Sequence, residues 1–319
     1  MRKKILVCGS TGFIGRNIAE SFAEDKDCEV YGTYFRSEPL RHPKIKMVKA
    51  DLTDKNDVIK AINGKDIIIQ AAATTSGAKE IITKPYYHVT DNAVMNALIF
   101  RAAYDYAVSH VLFFSCTTMY QSSDRPIKET DFDANKEVNT NYFGGAWTKV
   151  YNEKMCEFYS RIGPAKYTVI RHSNIYGPCD KYDLEKSHVF GATISKVMTA
   201  KEGEKIIIWG SGEEERDLLY ISDLVDFVKC AIDRQESQFE IFNAGYGNPI
   251  SIKKLVEKII ERSGEKNAIE YDLSKPTIKT RLCLDIAKAK DLLGWSPKIN
   301  LDDGIDKTMA WYRVYFKTG

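Results

Sequence analysis

The apolar positions of this chain change their period along its length. Short runs of aliphatic and β-branched residues come first: "KILVCG" (4–9), "EVYGTYF" (29–35), "IKMVKADL" (45–52), "DIIIQAAA" (66–73), "HVLFFSCTTMY" (110–120) and "YTVIRHSNIYG" (167–177). Their length and their bounding turn residues predict strands. "DIIIQAAA" reads as a fully apolar strand, which predicts cover on both faces. Helical spacing falls between the strands, at 14–22, 57–64, 93–108 and 146–160. Strands alternating with helices predict a parallel sheet with helices on both sides.

Beyond residue 177 the pattern changes. Polar loops such as "GPCDKYDLEKSH" and "GSGEEERD" separate short strands, and "SIKKLVEKIIERSG" (251–264) and "DIAKAKDLLGW" (285–295) read as amphipathic helices. The expected architecture is α/β: a doubly wound parallel sheet over residues 1–172, with a smaller C-terminal α/β substrate lobe over 173–319. No compositional break or repeat separates them, so the lobe is expected to be partly interleaved with the sheet domain.

Composition narrows the function classes. A chain of 319 residues suffices for a large α/β domain with an appended lobe. A net charge of +2 gives no electrostatic reason to expect nucleic acid or a membrane surface as partner. No apolar run reaches the roughly 18 residues of a spanning helix. The opening "MRKKILVCGSTGFIG" is interrupted by Gly9, Ser10, Thr11 and Gly12, so it does not read as a signal peptide. The seven cysteines are odd in number and scattered, with no C-x-x-C pair and no histidine cluster. That favours neither zinc nor a disulfide framework, and the cytoplasm fits best.

"GSTGFIG" places Gly9, Gly12 and Gly15 after the first strand and at the start of a helix. Gly9 permits the tight turn, Gly12 lets backbone approach a pyrophosphate, and Gly15 allows close helix–strand packing, as in the Rossmann-type dinucleotide site. The other reading is a purely structural turn. An acid at the end of the second strand would hold a ribose 2′-hydroxyl, but this chain has "FRS", with Arg36 there. A guanidinium suits a 2′-phosphate, so NADP is favoured, with NAD possible; alternatively Arg36 is an ordinary surface arginine. Asp51 in "ADL" is either an acceptor for the adenine amino group or a strand-end turn acid.

"GSTGFIG", "ADLTD", "QAAA", "SCTTMY", "TKVYNEKMCEFYSRIG", "RHSNIYGP", "KSHV", "WGSGEEERDLLYISDL" and "LLGWSPK" run in order over nearly the whole chain. They resemble the extended short-chain dehydrogenase/reductase family of nucleotide-sugar enzymes. Within it, "KSHV" (186–189), "IIIWGSG" (206–212) and "SKP" with the following Arg281 look most like the GDP-fucose synthase branch, epimerase/reductases of a GDP-linked 4-keto sugar. The resemblance implies a cofactor site of Gly9, Thr11, Gly12, Phe13, Ile14, Gly15, Arg36, Asp51, Leu52, Ala71, Ala72, Ala73 and Lys149. For a nucleoside-diphosphate sugar it implies Asn174, His188, Trp209, Arg216 and Arg281, the two arginines on the diphosphate. Asn174 can equally be a turn former, Trp209 a core indole, and each arginine a surface ion-pair partner. Asp223 reads as a helix cap. A homodimer through helices 93–108 and 146–160 is implied as well.

One departure stands out. The family's catalytic helix carries a tyrosine four residues before its lysine; here the lysine is Lys149 and that position is Gly145. The serine position holds Cys116, and Thr118 lies two residues on, on the same face if both are in a strand. Cys116 is a base or a buried thiol, and Thr118 a hydrogen-bond donor to the sugar or a packed threonine. His188 matches the branch's histidine acid; alternatively it is hydrogen-bonded between the lobes. Tyr142, just ahead of the helix, Tyr120 and a water held by Lys149 are further candidate acids. An oxidoreductase/epimerase with a relocated acid is the first reading and a non-catalytic binder of the same ligands the second. A dehydratase is disfavoured, because Thr117 and Thr118 stand where its aspartate–glutamate pair would be.

Overall fold

The computed structural model describes residues 2–75, 84–184, 187–201, 203–274 and 281–316. The chain opens with β1 (Lys3–Cys8), α1 (Phe13–Ala23), β2 (Cys28–Tyr34), β3 (Ile45–Lys49), α2 (Lys55–Ile62), β4 (Ile67–Gln70), α3 (Thr90–Asp105), β5 (His110–Phe114), α4 (Phe143–Ile162) and β6 (Lys166–His172). It continues with β7 (Asn174–Tyr176), α5 (Val189–Thr199), β8 (Ile206–Trp209), β9 (Glu215–Arg216), β10 (Leu218–Tyr220), α6 (Ile221–Arg234) and β11 (Phe239–Ala244). β12 (Ile250–Ser251), α7 (Ile252–Ser263), β13 (Ile269–Asp272), α8 (Ala287–Leu293) and α9 (Leu301–Phe316) complete it.

Seven strands form one parallel sheet in the order β11-β6-β5-β4-β1-β2-β3. The strand order reverses between β1 and β4, which opens a crevice at their carboxyl ends. The pleat sorts the core: Ile5 and Val7 face a layer with Ile18, Phe22 and Phe242, while Leu6 and Cys8 face one with Ile68, Phe100 and Tyr167. Fully burying one such aliphatic side chain is worth about 1.5–3 kcal/mol. β11 comes from the C-terminal half, yet pairs with β6 from Phe239↔Tyr167 to Ala244↔His172. The remaining strands make three small sheets, β10–β7, β12–β9 and β13–β8. Among the described residues no helix is long and apolar enough to cross a membrane.

Three expected elements differ. The strand predicted over 110–120 ends at Phe114. Ser115 N still bonds Ile170 O at 2.9 Å, but the chain then turns, with Tyr120 N on Thr117 O at 3.0 Å. Cys116 and Thr118 therefore do not alternate along a strand. The strand predicted over 167–177 breaks at Ser173, and β7 leaves the main sheet to pair with β10. Asp223 does not cap α6, whose N-cap is Tyr220. Its buried carboxylate instead accepts from Ile299 N at 3.0 Å.

A buried ion pair ties these pieces together. Arg171 in β6 and Glu153 in α4 have side chains each 4% exposed, with Nη2 and Oε2 2.6 Å apart. Arg171 Nε also donates to Glu153 Oε1 at 3.0 Å, and Ser115 Oγ to the same oxygen at 2.6 Å. Arg171 Nη1 reaches Tyr120 Oη at 2.9 Å and Glu129 O at 3.0 Å. Tyr120 Oη donates to Asn243 Oδ1 at 2.8 Å, and Asn243 Nδ2 to Ile127 O and Asp285 O at 2.8 and 3.1 Å. Removing one partner strands the other charge in the interior. Glu153→Gln should therefore lower the unfolding free energy by about 3–5 kcal/mol in a urea titration; a loss under about 1 kcal/mol would remove the pair from its central place.

Candidate active site

The loop from β1 into α1 is shaped by its glycines. Gly9 takes φ +74, and a Cβ on it would lie 2.7 Å from Ala72 Cα. A Cβ on Gly15 would run into the Gly9 carbonyl. α1 thus starts hard against the turn, with Gly12 at its N-cap and Gly12 N on Gly9 O at 3.0 Å. β2 clamps the loop through Gly9 N on Thr33 Oγ1 at 2.9 Å and Ser10 Oγ on Thr33 O at 3.0 Å. A helix start capped by glycine, beside a left-handed turn, presents backbone N–H groups without side-chain cover, and so fits a pyrophosphate. Phe13 and Ile14 pack on the core, and Thr11 is half-buried in the turn.

Around this cradle, Arg36 is exposed just past β2, its guanidinium 5.3 Å from the Phe35 ring centroid. Asp51 Oδ1 accepts from Thr53 N and Oγ1 at 2.9 and 2.7 Å, so one of its oxygens shapes the turn into α2. Leu52 is buried, Ala71 and Ala72 are half-buried beside Gly9, and Ala73 is exposed. A polar chain that the sequence reading missed fixes this edge. Gln70 Nε2 donates to Asn96 Oδ1 at 2.8 Å, Asn96 Nδ2 to Asn92 O at 2.8 Å, and Asn92 Nδ2 to Thr74 O and His88 O at 3.0 and 3.1 Å. Its signal was a glutamine ending the otherwise apolar "IIIQ".

Gly145, Lys149 and Glu153 stand one turn apart on one face of α4. Lys149 Nζ donates to Phe114 O at 2.6 Å and lies 4.9 Å from the Phe113 ring centroid. Burial pulls its pKa down, against the pull of Cys116, Glu153 and Cys156. A Cβ at Gly145 would meet only His88 Cβ, at 3.9 Å, whereas one at Gly144 would press into Val89 Cγ2 at 2.7 Å. Packing therefore accounts for Gly144 and leaves room for a side chain at 145. Cys116 Sγ and Thr118 Oγ1 come within 2.9 Å of each other through the turn after β5. Tyr142 is half-buried in the cluster that holds Cys116, Met119 and Trp147. Burial raises its pKa, and Arg216 and Cys116 both act on it.

Arg216 Nη1 donates to Glu215 O at 2.8 Å, and burial lowers its pKa against the pull of Tyr142 and Glu214. Arg281 Nε lies 2.6 Å from Glu215 Oε2, a charge contact without hydrogen-bond alignment, and Nη1 3.0 Å from Asp124 Oδ1. Asn174 Nδ2 contacts Asp217 O at 3.4 Å. Trp209 is 50% exposed on β8, which excludes a core indole. His188 stands at the N-cap of α5 with much of its surface exposed, while the surrounding protein lowers its pKa by desolvation, helped by Lys181. Lys186 of "KSHV" and residues 275–280, which carry most of "SKP" and its approach to Arg281, lie outside the described residues. His172, which the sequence reading did not single out, is acted on by both Lys149 and His188.

A glycine turn at the switch point of a doubly wound sheet, with a lysine on α4 held on the carbonyl that ends β5, defines a dinucleotide-binding α/β protein with an added lobe. The chain belongs to the NAD dependent epimerase/dehydratase family, whose model matches residues 5–245. It is 30% identical over 315 residues to GDP-L-colitose synthase of Yersinia pseudotuberculosis, covering 97% of each chain. It is 31% identical over 311 residues to GDP-L-fucose synthase of Sinorhizobium fredii, covering 96% of this chain and 94% of that one. The fold matches UDP-glucose 4-epimerase of Thermotoga maritima with a TM-score of 0.87 at 24% identity, over 98% and 99% of the two chains.

The contact of Gly15 with the Gly9 carbonyl gives a direct test of the cradle. Gly15→Ala should push α1 off the turn and weaken dinucleotide binding at least about tenfold by calorimetry, a loss of about 1.4 kcal/mol. Unchanged affinity in a folded variant would place the cofactor elsewhere.

Proposed function

We propose that the chain is an NADP-favouring epimerase/reductase of a nucleoside-diphosphate sugar, GDP-linked, that works through a 4-keto sugar without the usual tyrosine. The observation that carries this is Lys149 fixed on Phe114 O, one turn from the open position at Gly145, with Cys116 acting on Lys149 and Tyr142, and Lys149 acting on His172. Near full-length similarity to two GDP-sugar synthases supports the GDP-linked substrate.

The bound nicotinamide supplies or accepts a hydride; the chain's own residues do the rest. The turn at Gly9–Gly15 and the start of α1 bind the pyrophosphate, and Arg36 meets a 2′-phosphate. Lys149 turns from Phe114 O to the nicotinamide ribose. Arg216 and Arg281 grip the substrate diphosphate, with Arg281 releasing Glu215 and Asp124 as it does so. Asn174 and Trp209 border the sugar nucleotide, and Thr118 orients the sugar. A proton must reach or leave the sugar oxygen as the hydride moves, and Gly145 offers no group for it. Tyr151, Phe158 and Ile162 on α4, with Val94 and Tyr104 on α3, are 39–49% exposed apolar side chains and form the face we assign to a second copy of the chain.

Two outcomes test this reading. NADPH should bind more tightly than NADH, and Arg36→Ala should erase most of the difference, about 1–2 kcal/mol for a charged contact; equal affinities in the native protein would end the NADP assignment. Native protein should transfer hydride to a GDP-linked 4-keto-6-deoxy sugar, followed by nicotinamide absorbance, and Gly145→Tyr should lower turnover by crowding an acid already in place. A rise in Gly145→Tyr would mean that no acid had replaced the tyrosine. No transfer in either protein across several sugar nucleotides would favour a non-catalytic binder and overturn the enzymatic reading.

A further inference from the structure

We propose that His172 is the group that exchanges a proton with the reacting oxygen of the sugar, in place of the tyrosine absent at 145. The inference deepens the proposed function and rests on it. His172 ends β6 at the carboxyl edge of the sheet, where it pairs with Ala244 of β11. Its Nδ1 lies 2.8 Å from Ser173 O. A carbonyl only accepts, so Nδ1 carries the ring proton and Nε2 is left as a bare lone pair. Among the described residues Nε2 has no hydrogen-bond partner.

Placement separates His172 from the other candidates. Its ring stands edge-on to Phe114, centroids 6.0 Å apart, and the carbonyl of that same Phe114 holds Lys149. His172 and Lys149 thus flank one residue. The charged and titratable groups acting on the imidazole are Lys149 from α4 and His188 from the turn before α5. Burial first, then Lys149 and His188, push its pKa down to about 4 against the pull of its bond to Ser173 O, so the ring is neutral in the ligand-free protein near neutral pH. Tyr142 is acted on by Arg216 and Cys116. Cys116 is engaged with Thr118, and His188 is exposed at the start of α5.

The step balances. In the oxidising direction the sugar O–H bond breaks and its proton passes to His172 Nε2. A bound oxidised nicotinamide would take the hydride as the C–H bond breaks with its electron pair and C=O forms. In the reducing direction the His172 imidazolium returns the proton to the oxygen as the hydride arrives at carbon.

His172→Asn places an amide N–H where Nδ1 was, keeps the bond to Ser173 O, and deletes Nε2. It should cut kcat about 10²-fold or more, with the calorimetric Kd of NADPH and of GDP-mannose each within about twofold of native. A second readout needs no turnover. In native protein with ¹⁵N-labelled histidine, the Nε2 resonance of His172 should be that of an unprotonated nitrogen, and should move upfield on saturation with NADPH and GDP-mannose. Turnover of His172→Asn within about threefold of native, or an Nε2 resonance that both ligands leave unmoved, overturns the proposal for His172 while an active native enzyme leaves the function standing. A native protein inactive on every sugar nucleotide overturns both.

Discussion

The ion pair between Glu153 and Arg171 is the constraint on which the site depends. Two charges out of water are tolerable only when every lone pair and proton finds a partner. Here Ser115, Tyr120 and the Glu129 carbonyl complete the set, and Tyr120 passes the network on to Asn243 and so to the C-terminal segment at Asp285. The pair therefore joins α4, β6, the turn after β5 and the lobe at one point. Lys149 sits one turn before Glu153 on the same face of α4, so fixing Glu153 also fixes where the ammonium stands. Deleting the pair would move the chemistry as well as lower stability.

The same face explains why the glycine at 145 invites a functional reading. A glycine inside a helix costs roughly 1 kcal/mol relative to alanine, so it usually has a local reason. Gly144 has one, since a Cβ there would press on Val89. Gly145 has none in packing, with only His88 Cβ at contact distance. The stripe that begins with Gly145, runs through Lys149 and ends at Glu153 is thus a space, a cation and an anchor. Lys149, at the centre of that stripe, is acted on by Cys116 and itself acts on His172.

Much of this was legible in the residues. The six N-terminal strands, the glycine turn and the doubly wound order followed from period and turn chemistry, because parallel buried strands are the segments that pattern identifies best. The strand end at Phe114 was not legible: "SCTTMY" has good strand residues, and only the tertiary pairing of β5 with β6 stops there. β11 could not be assigned to the main sheet from its short run "FEIFNA", since its strand partner β6 lies 72 residues back, at Phe239↔Tyr167, and such pairing leaves no local trace. The buried network was half visible. An arginine inside "YTVIRHS" breaks an apolar strand, which is a signal, but its partner Glu153 looks like any helix-surface acid until the two elements are packed. His172, next to that arginine, was masked by the neighbouring "SNIYGP" turn.

The charge balance of the chamber ties ligand binding to proton transfer. Burial pushes Lys149, His172, His188 and Arg216 all toward their neutral forms. The site is a desolvated group of bases without enough nearby carboxylate to hold their protons. The phosphates of the proposed ligands bring negative charge into that low-dielectric space, where it acts more strongly than in water. Each pKa then rises from its ligand-free position. For Arg216 and Lys149, in the roles proposed for them, this would strengthen binding. For His172 it moves the imidazole from about 4 toward the pH at which it works, where gaining and losing a proton cost similar amounts. A tyrosine beside a lysine reaches a useful pKa by being lowered from above. An imidazole beside the same lysine must be raised from below, and only the occupied site contains the charge to do it.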